Sequence, residues 1–140
     1  MDLERMFALA SAAAVVGWVM LAVAPLRREW AVTGARLVAA LLCGFYATML
    51  ATGLTGGAGP PPGAGFSTLA GVRLLLSTPE ALLAGWVHYL AFDLFVGSWE
   101  AADAPTARVP HWLLLPCLAF TFVAGPFGLL LYLLIKAARR

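Results

Sequence analysis

The chain has 140 residues, of which 62% are hydrophobic and only 11% charged, with a formal net charge of +2 and a mean hydropathy of +0.89. A soluble domain carries about 25% charged residues, so water is excluded as the main solvent. The dispersed, slight excess of positive charge excludes a nucleic-acid footprint. Cys43 and Cys117 lie in separate apolar stretches without the spacing of a disulfide scaffold or a thiolate zinc site, and both are expected to be buried thiols.

A membrane span needs about 20 mostly apolar residues to cross roughly 30 Å of hydrocarbon. On that measure the sequence predicts an all-α, four-helix transmembrane bundle in a single domain, 1–140, with spans at about 3–24, 35–54, 79–99 and 110–135. The first is read as a retained helix, since Asp2 and Glu4 spoil the basic start of a signal peptide and Pro25 follows the small-residue triplet Ala22-Val23-Ala24. Ala10, Ala14 and Gly17 recur on one of its faces and suit close packing against a neighbouring backbone. Arg27, Arg28, Glu29 and Trp30 are expected to form a charged interfacial loop before the second span.

The glycine- and proline-rich stretch from Gly56 to Gly65 cannot continue the second helix. Phe66 to Ser77, which carries Arg73, is too short to span and is expected at the interface or re-entering the bundle. Ser77 or Thr78 followed by Pro79 and Glu80 marks the start of the third helix. Glu100 and Asp103 are expected in the loop after it. The fourth helix carries Pro116, Gly125 and Pro126, so it should be kinked or locally unwound where protein satisfies the freed carbonyls.

With four spans, Arg5, Arg73, Lys136, Arg139 and Arg140 share one side and Arg27, Arg28, Arg36 and Arg108 the other, so the positive-inside rule discriminates little. The C-terminal cluster tilts the expectation towards both termini in the cytoplasm of a multi-pass protein of a bacterial inner membrane. Trp86, Trp99, Trp112 and Tyr132 fall near span ends and are expected in the aromatic belt.

The stretch from Gly85 to Glu100, GWVHYLAFDLFVGSWE, puts ionisable groups inside a span. A carboxylate near the bilayer centre costs at least about 2.5–3.5 kcal/mol and marks a functional hypothesis, which singles out Asp93. At about 100° per residue, Trp86, Tyr89, Asp93 and Glu100 share a face, while His88 is turned about 140° from Asp93. His88 and Asp93 therefore cooperate only across a cavity or through another helix. His111 is expected to approach the same region from the start of the fourth helix. Asp93, Glu100, Asp103, His88 and His111 are suitable metal ligands by type, but their spacing matches no recognised metal motif, and no metal is expected. The sequence has no nucleophile elbow, phosphate-binding loop or dinucleotide fingerprint.

The stretches AGWVHYLAFDLFVGSWEAADA and VPHWLLLPCLAFTFVAGPFGLLLYLL resemble the neoxanthin-synthase-like family of small membrane proteins of plant plastids and bacteria. The resemblance is close over Pro79 to Leu134, and the first half fits as two generic spans. It implies an intramembrane, cofactor-independent isomerase of a carotenoid or related isoprenoid, as in the conversion of violaxanthin to neoxanthin. Such a step needs an acid to protonate the epoxide oxygen and a base to remove a carbon-bound proton. The expected assignment is Asp93 as the neutral acid, His88 as the base and Tyr89 orienting Asp93. Trp86, Phe92, Phe95, Trp99 and His111 are the expected substrate-binding residues. Membrane lipids and a carotenoid are the expected partners, and a homo-oligomer or a biosynthetic enzyme partner stays open. The rival readings are a non-catalytic pigment- or lipid-binding accessory subunit and a proton-coupled transporter.

Overall fold

The structure, a computed structural model, describes residues 2–56 and 59–139, without the side chains of residues 54–56. Gly57, Ala58 and Arg140, parts of the expected loop and C-terminal basic cluster, lie outside the described residues. Among the described residues there are six α-helices and no strand: α1 (Leu3–Ala22), α2 (Arg28–Gly56), α3 (Leu69–Leu75), α4 (Pro79–Asp103), α5 (His111–Ala124) and α6 (Pro126–Ala138). A single 3-10 turn, Ala24–Leu26, follows α1 at Pro25. Among the described residues, α1, α2 and α4 are the helices long and apolar enough to cross a membrane.

Helix α2 begins at Arg28, well before residue 35, so Arg28, Glu29 and Trp30 form its first turn and not a loop. Glu29 suits the positive end of the helix dipole, and Arg28 reaches across the bundle, its Nη1 donating to the Ala101 carbonyl at 2.6 Å. Helix α3 is capped by the Thr68 hydroxyl, which accepts from the Gly71 amide at 3.0 Å. It makes no extended contact with the other helices, and Phe66 and Leu69 are exposed. That arrangement fits an interfacial segment and not re-entry into the bundle. Thr78 caps α4 by accepting from the Ala81 amide at 3.2 Å, with Pro79 in the first turn as the spacing predicts. Helix α4 then continues a turn beyond Trp99, which makes Glu100 and Asp103 helical residues and not loop residues.

The largest correction concerns the fourth span. In place of one kinked helix there are two short ones, about 21 and 20 Å long, that fold back on each other at Gly125 (φ 12°, ψ −81°). In a continuous helix, positions 121 and 128 would lie about 10 Å apart. Here Gly128 lies against the Thr121 backbone, so that any β-carbon at position 128 would collide with it. At the other end, Arg139 Nη1 donates to the Arg108 carbonyl at 3.2 Å, so α6 ends where α5 begins. Helices α5 and α6 are the two legs of a hairpin that enters the bundle and leaves by the same side.

The small face of α1 packs as its spacing predicts. Ala10, Ala14 and Gly17 are buried, Leu94 of α4 sits over Gly17, and Trp18 sits over Gly97. Two expectations fail: Cys43 is exposed while Cys117 is buried, and Tyr132 is fully buried rather than part of a belt.

The hairpin also redistributes charge. His111 Nε2 lies 2.8 Å from the Ala22 carbonyl and Arg28 bonds Ala101, so the end of α1, the start of α2, the end of α4 and the hairpin mouth share one side. Arg27, Arg28, Arg36, Arg108, Lys136 and Arg139 belong to that side, and only Arg5 and Arg73 to the other. The near balance expected from four spans becomes six against two among the described residues, and the two ends of the chain fall on opposite sides. In a membrane crossed by these helices the positive-inside rule would favour the hairpin mouth as the cytoplasmic side, with the start of α1 opposite. Reporter fusions at the two ends should report opposite compartments, with the C-terminal one cytoplasmic; matching compartments would contradict the hairpin. Gly128→Ala should lower the thermal midpoint in detergent, at a cost of about 1–3 kcal/mol; an unchanged midpoint would mean that the two legs do not meet there.

Candidate functional site at the hairpin tip

Breaking a helix within an apolar bundle frees backbone carbonyls that need donors. Pro126 has no N–H to offer the Phe122 carbonyl four residues before it, and the turn at Gly125 ends the ladder for Val123. Tyr89 of α4 meets both: its hydroxyl donates to Phe122 O at 3.0 Å and to Val123 O at 3.2 Å. One turn further along α4, the Asp93 carboxyl lies against Gly125, in the space a side chain there would fill. Gly125 is the N-cap of α6, so the carboxyl faces the positive end of that helix dipole. Asp93 Oδ2 is buried and has no hydrogen-bond partner. The Tyr89 hydroxyl is also a hydrogen-bonding neighbour of the Asp93 carboxyl, besides the two hairpin carbonyls.

The same stripe of α4 continues towards the hairpin mouth. Glu100 is fully buried and accepts from the Thr121 hydroxyl at 3.0 and 3.2 Å. Asp103 accepts from the Tyr132 hydroxyl at 2.6 Å and forms an ion pair with Lys136 at 2.6 Å. At the mouth, the Ala22 carbonyl can only accept, so the His111 ring carries its proton on Nε2. Its Nδ1 is buried without a partner.

Of the expected site residues, the structure gathers Trp86, Tyr89 and Asp93 on the face that meets α1 and the hairpin. Trp86 Nε1 donates to Ser11 Oγ at 3.1 Å, and its ring lies 5.3 Å from Tyr89 and 5.6 Å from Phe7. His88 is turned away: it is exposed, stacks on Phe92 at 4.5 Å and faces Tyr46 of α2 at 5.5 Å. Phe92 and Phe95 lie on the same outer stripe and are exposed, so they do not wall a slot with Trp86. Trp99 packs edge-on against Tyr132 near the hairpin mouth, and His111 pins the start of α5 to α1. Neither approaches the tip.

The hairpin stops at the depth of Asp93. From there to Pro79, α4 continues for about 21 Å without hairpin cover. Phe7 and Trp86 along this uncovered stretch, and Phe122 and Val123 at the hairpin tip, are exposed. Tyr89 and Asp93 lie where this uncovered face meets the hairpin tip. Sequence reasoning misses Phe7, Ser11, Phe122, Val123 and Gly125 as parts of the site. The Gly125-Pro126 break is the one local signal that points to the tip.

Among the described residues no group of three or more His, Cys, Asp or Glu side chains is placed to hold a metal ion. Asp93, Glu100, Asp103 and His111 occupy successive depths and do not converge. The class defined by fold and site is a small all-helical protein with three helices of membrane-spanning length, a half-depth hairpin and a polar stripe that docks it. The chain belongs to the ABA DEFICIENT 4-like family, whose model matches residues 5–132, across the three long helices and α5 and into the first half of α6. No curated protein and no solved structure matches it. Replacing Tyr89 with Phe removes the donor to the two tip carbonyls. It should destabilise the fold by about 1–3 kcal/mol, the range for an unsatisfied buried polar group. Thermal unfolding in detergent measures this, and a wild-type midpoint would show that Tyr89 does not hold the tip.

Proposed function

We propose that the chain isomerises a carotenoid or related isoprenoid in the membrane, with Asp93 as the proton-transfer group and the uncovered α1–α4 face beside the hairpin tip as the binding surface. The observation that carries this is a mid-span carboxyl with one buried, unpartnered oxygen, one turn of α4 from Tyr89, whose ring neighbours those of Trp86 and Phe7. Family membership supports a carotenoid-related role. A long apolar substrate enters sideways from the bilayer and lies along Phe7 and Trp86, with its polar end towards Asp93. The membrane in this reading is a bacterial inner membrane, with the hairpin mouth on its cytoplasmic side.

The geometry favours a one-carboxyl mechanism over the pairing with His88. A protonated Asp93 gives its proton to the epoxide oxygen while its other oxygen takes the proton from the neighbouring vinylic carbon. The carbon–oxygen bond of the epoxide breaks, and the electron pair of the lost C–H bond forms the allene. The product is an isomer of the substrate, the carboxyl is protonated again, and no electrons are exchanged with a cofactor. His88 has no part in this step.

A second reading rests on the Tyr89 hydroxyl donating to the hairpin: the polar tip is scaffolding, and the uncovered α1–α4 face holds a pigment for a partner enzyme. Expression in cells that accumulate an epoxy-carotenoid, followed by pigment analysis of cells and of purified protein, separates the two. Wild-type protein should yield the allenic product, and Asp93→Asn should lower turnover by about 10²-fold or more while remaining folded. Bound pigment without product would support the accessory reading, and wild-type turnover by Asp93→Asn would remove Asp93 from the chemistry.

A further inference from the structure

A cavity of about 420 Å³ opens at the hairpin mouth, lined by Asp103, Thr106, Ala107, Arg108, Lys136 and Arg139. Three cations against one carboxylate leave it with a net positive charge. Asp103 is paired with Lys136 and offsets that one cation, which leaves the charges of Arg108 and Arg139 in excess. The cations come from both ends of the hairpin: Arg108 precedes α5, and Lys136 and Arg139 end α6. The cavity sits at the level where α1 and α4 end and α2 begins, which is headgroup depth for a bilayer crossed by those helices.

The backbone at Arg108 is a second, independent observation. The turn after α4 closes with the Val109 amide on the Ala104 carbonyl at 2.8 Å and the Arg108 amide on the Pro105 carbonyl at 3.1 Å. That pattern places a left-handed residue at position 108, where glycine is usual because it has no β-carbon to clash. Arg108 occupies it with φ 57°, alone among the described non-glycine residues in having positive φ. A residue that is backbone-unfavourable at its position, with a guanidinium lining a cationic cavity, is better explained by what its side chain binds than by the turn itself.

We infer that this cavity is a phosphate-binding site that clasps the two ends of the hairpin, its donors being the Arg108 and Arg139 guanidiniums and the Lys136 ammonium. Guanidinium groups recognise phosphate oxygens in a bidentate fashion. At headgroup depth the phosphate belongs to an anionic phospholipid; a water-soluble phosphate is the other source of the same chemistry.

The test uses full-length protein in mild detergent, titrated with phosphatidylglycerol, with phosphatidylcholine, or with pyrophosphate in place of lipid. Bound species are counted by native mass spectrometry, and thermal midpoints are recorded. Wild-type protein should retain phosphatidylglycerol in preference to phosphatidylcholine and be stabilised by it. Arg108→Gly and Arg139→Gln should each weaken that preference by about fivefold, on the scale of one surface cation with an anionic headgroup. Arg108→Gly should show a lipid-free midpoint equal to or above wild type, because glycine suits the turn, so lost binding would not reflect lost folding. Pyrophosphate binding with the same dependence on both arginines, without lipid preference, would support the site and assign it to a soluble phosphate. Equal retention of both lipids with no pyrophosphate bound, or wild-type binding by both variants, would overturn the inference.

Discussion

Within an apolar bundle a broken helix survives only where something other than water meets its freed carbonyls, and the architecture at Gly125-Pro126 follows from that requirement. Tyr89 supplies the donor, and Asp93 fills the space that the missing side chain of Gly125 leaves. With both on α4, the turn has to sit at one depth and on one face of that helix. The depth of the tip then fixes how far α5 and α6 penetrate, and hence how much of α1 and α4 they leave bare.

The polar groups of α4 work as a register. Tyr89 and Asp93 meet the tip, Glu100 meets Thr121 part-way along α5, and Asp103 meets Tyr132 and Lys136 near the mouth. A slip of the hairpin along α4 would separate these partners and leave buried polar groups unsatisfied, each at a cost of about 1–3 kcal/mol. Apolar packing alone resists such sliding weakly, because a leucine-rich surface is equally content one turn away. Charged and polar residues that are costly in oil thus act as positional constraints, while Gly128 against the Thr121 backbone sets the separation of the legs.

Much of this was legible in the sequence, and the missing parts have identifiable causes. Helical periodicity puts Trp86, Tyr89, Asp93 and Glu100 on one face, and that face is the one α1 and the hairpin cover. The same arithmetic puts Phe92, Phe95 and Trp99 with His88, so one straight helix cannot bring both stripes into a single slot. The Gly125-Pro126 break was visible as a point where carbonyls needed partners. Its sharpness was not, because the apolar stretch from His111 to Ala138 is long enough to cross the bilayer once, and length does not distinguish a crossing from a return. The partners that decide the matter, Lys136 with Asp103 and Arg139 with the Arg108 carbonyl, are separated by about thirty residues and are tertiary facts. Missing the return also conceals the charge asymmetry, since it moves the C-terminal cations to the wrong side.

A hairpin of half depth gives the two halves of the bundle different characters. On the basic side, α1, α2 and α4 are joined by both hairpin legs, and the interior is filled by Leu114, Cys117, Glu100 and Tyr132. On the other side three helices are left without that cover, and the α1–α4 face shows aromatic rings to the surroundings. Between the filled half and the bare half runs a boundary at which the cover of the hairpin ends. Asp93 occupies that boundary. Its place at the tip follows from docking the hairpin, and in the proposed reading its free oxygen is what docking leaves over for chemistry. The mouth, about 20 Å away, has the opposite character, cationic and open. One element therefore holds a buried carboxyl against its closed end and a positively charged cavity at its open end.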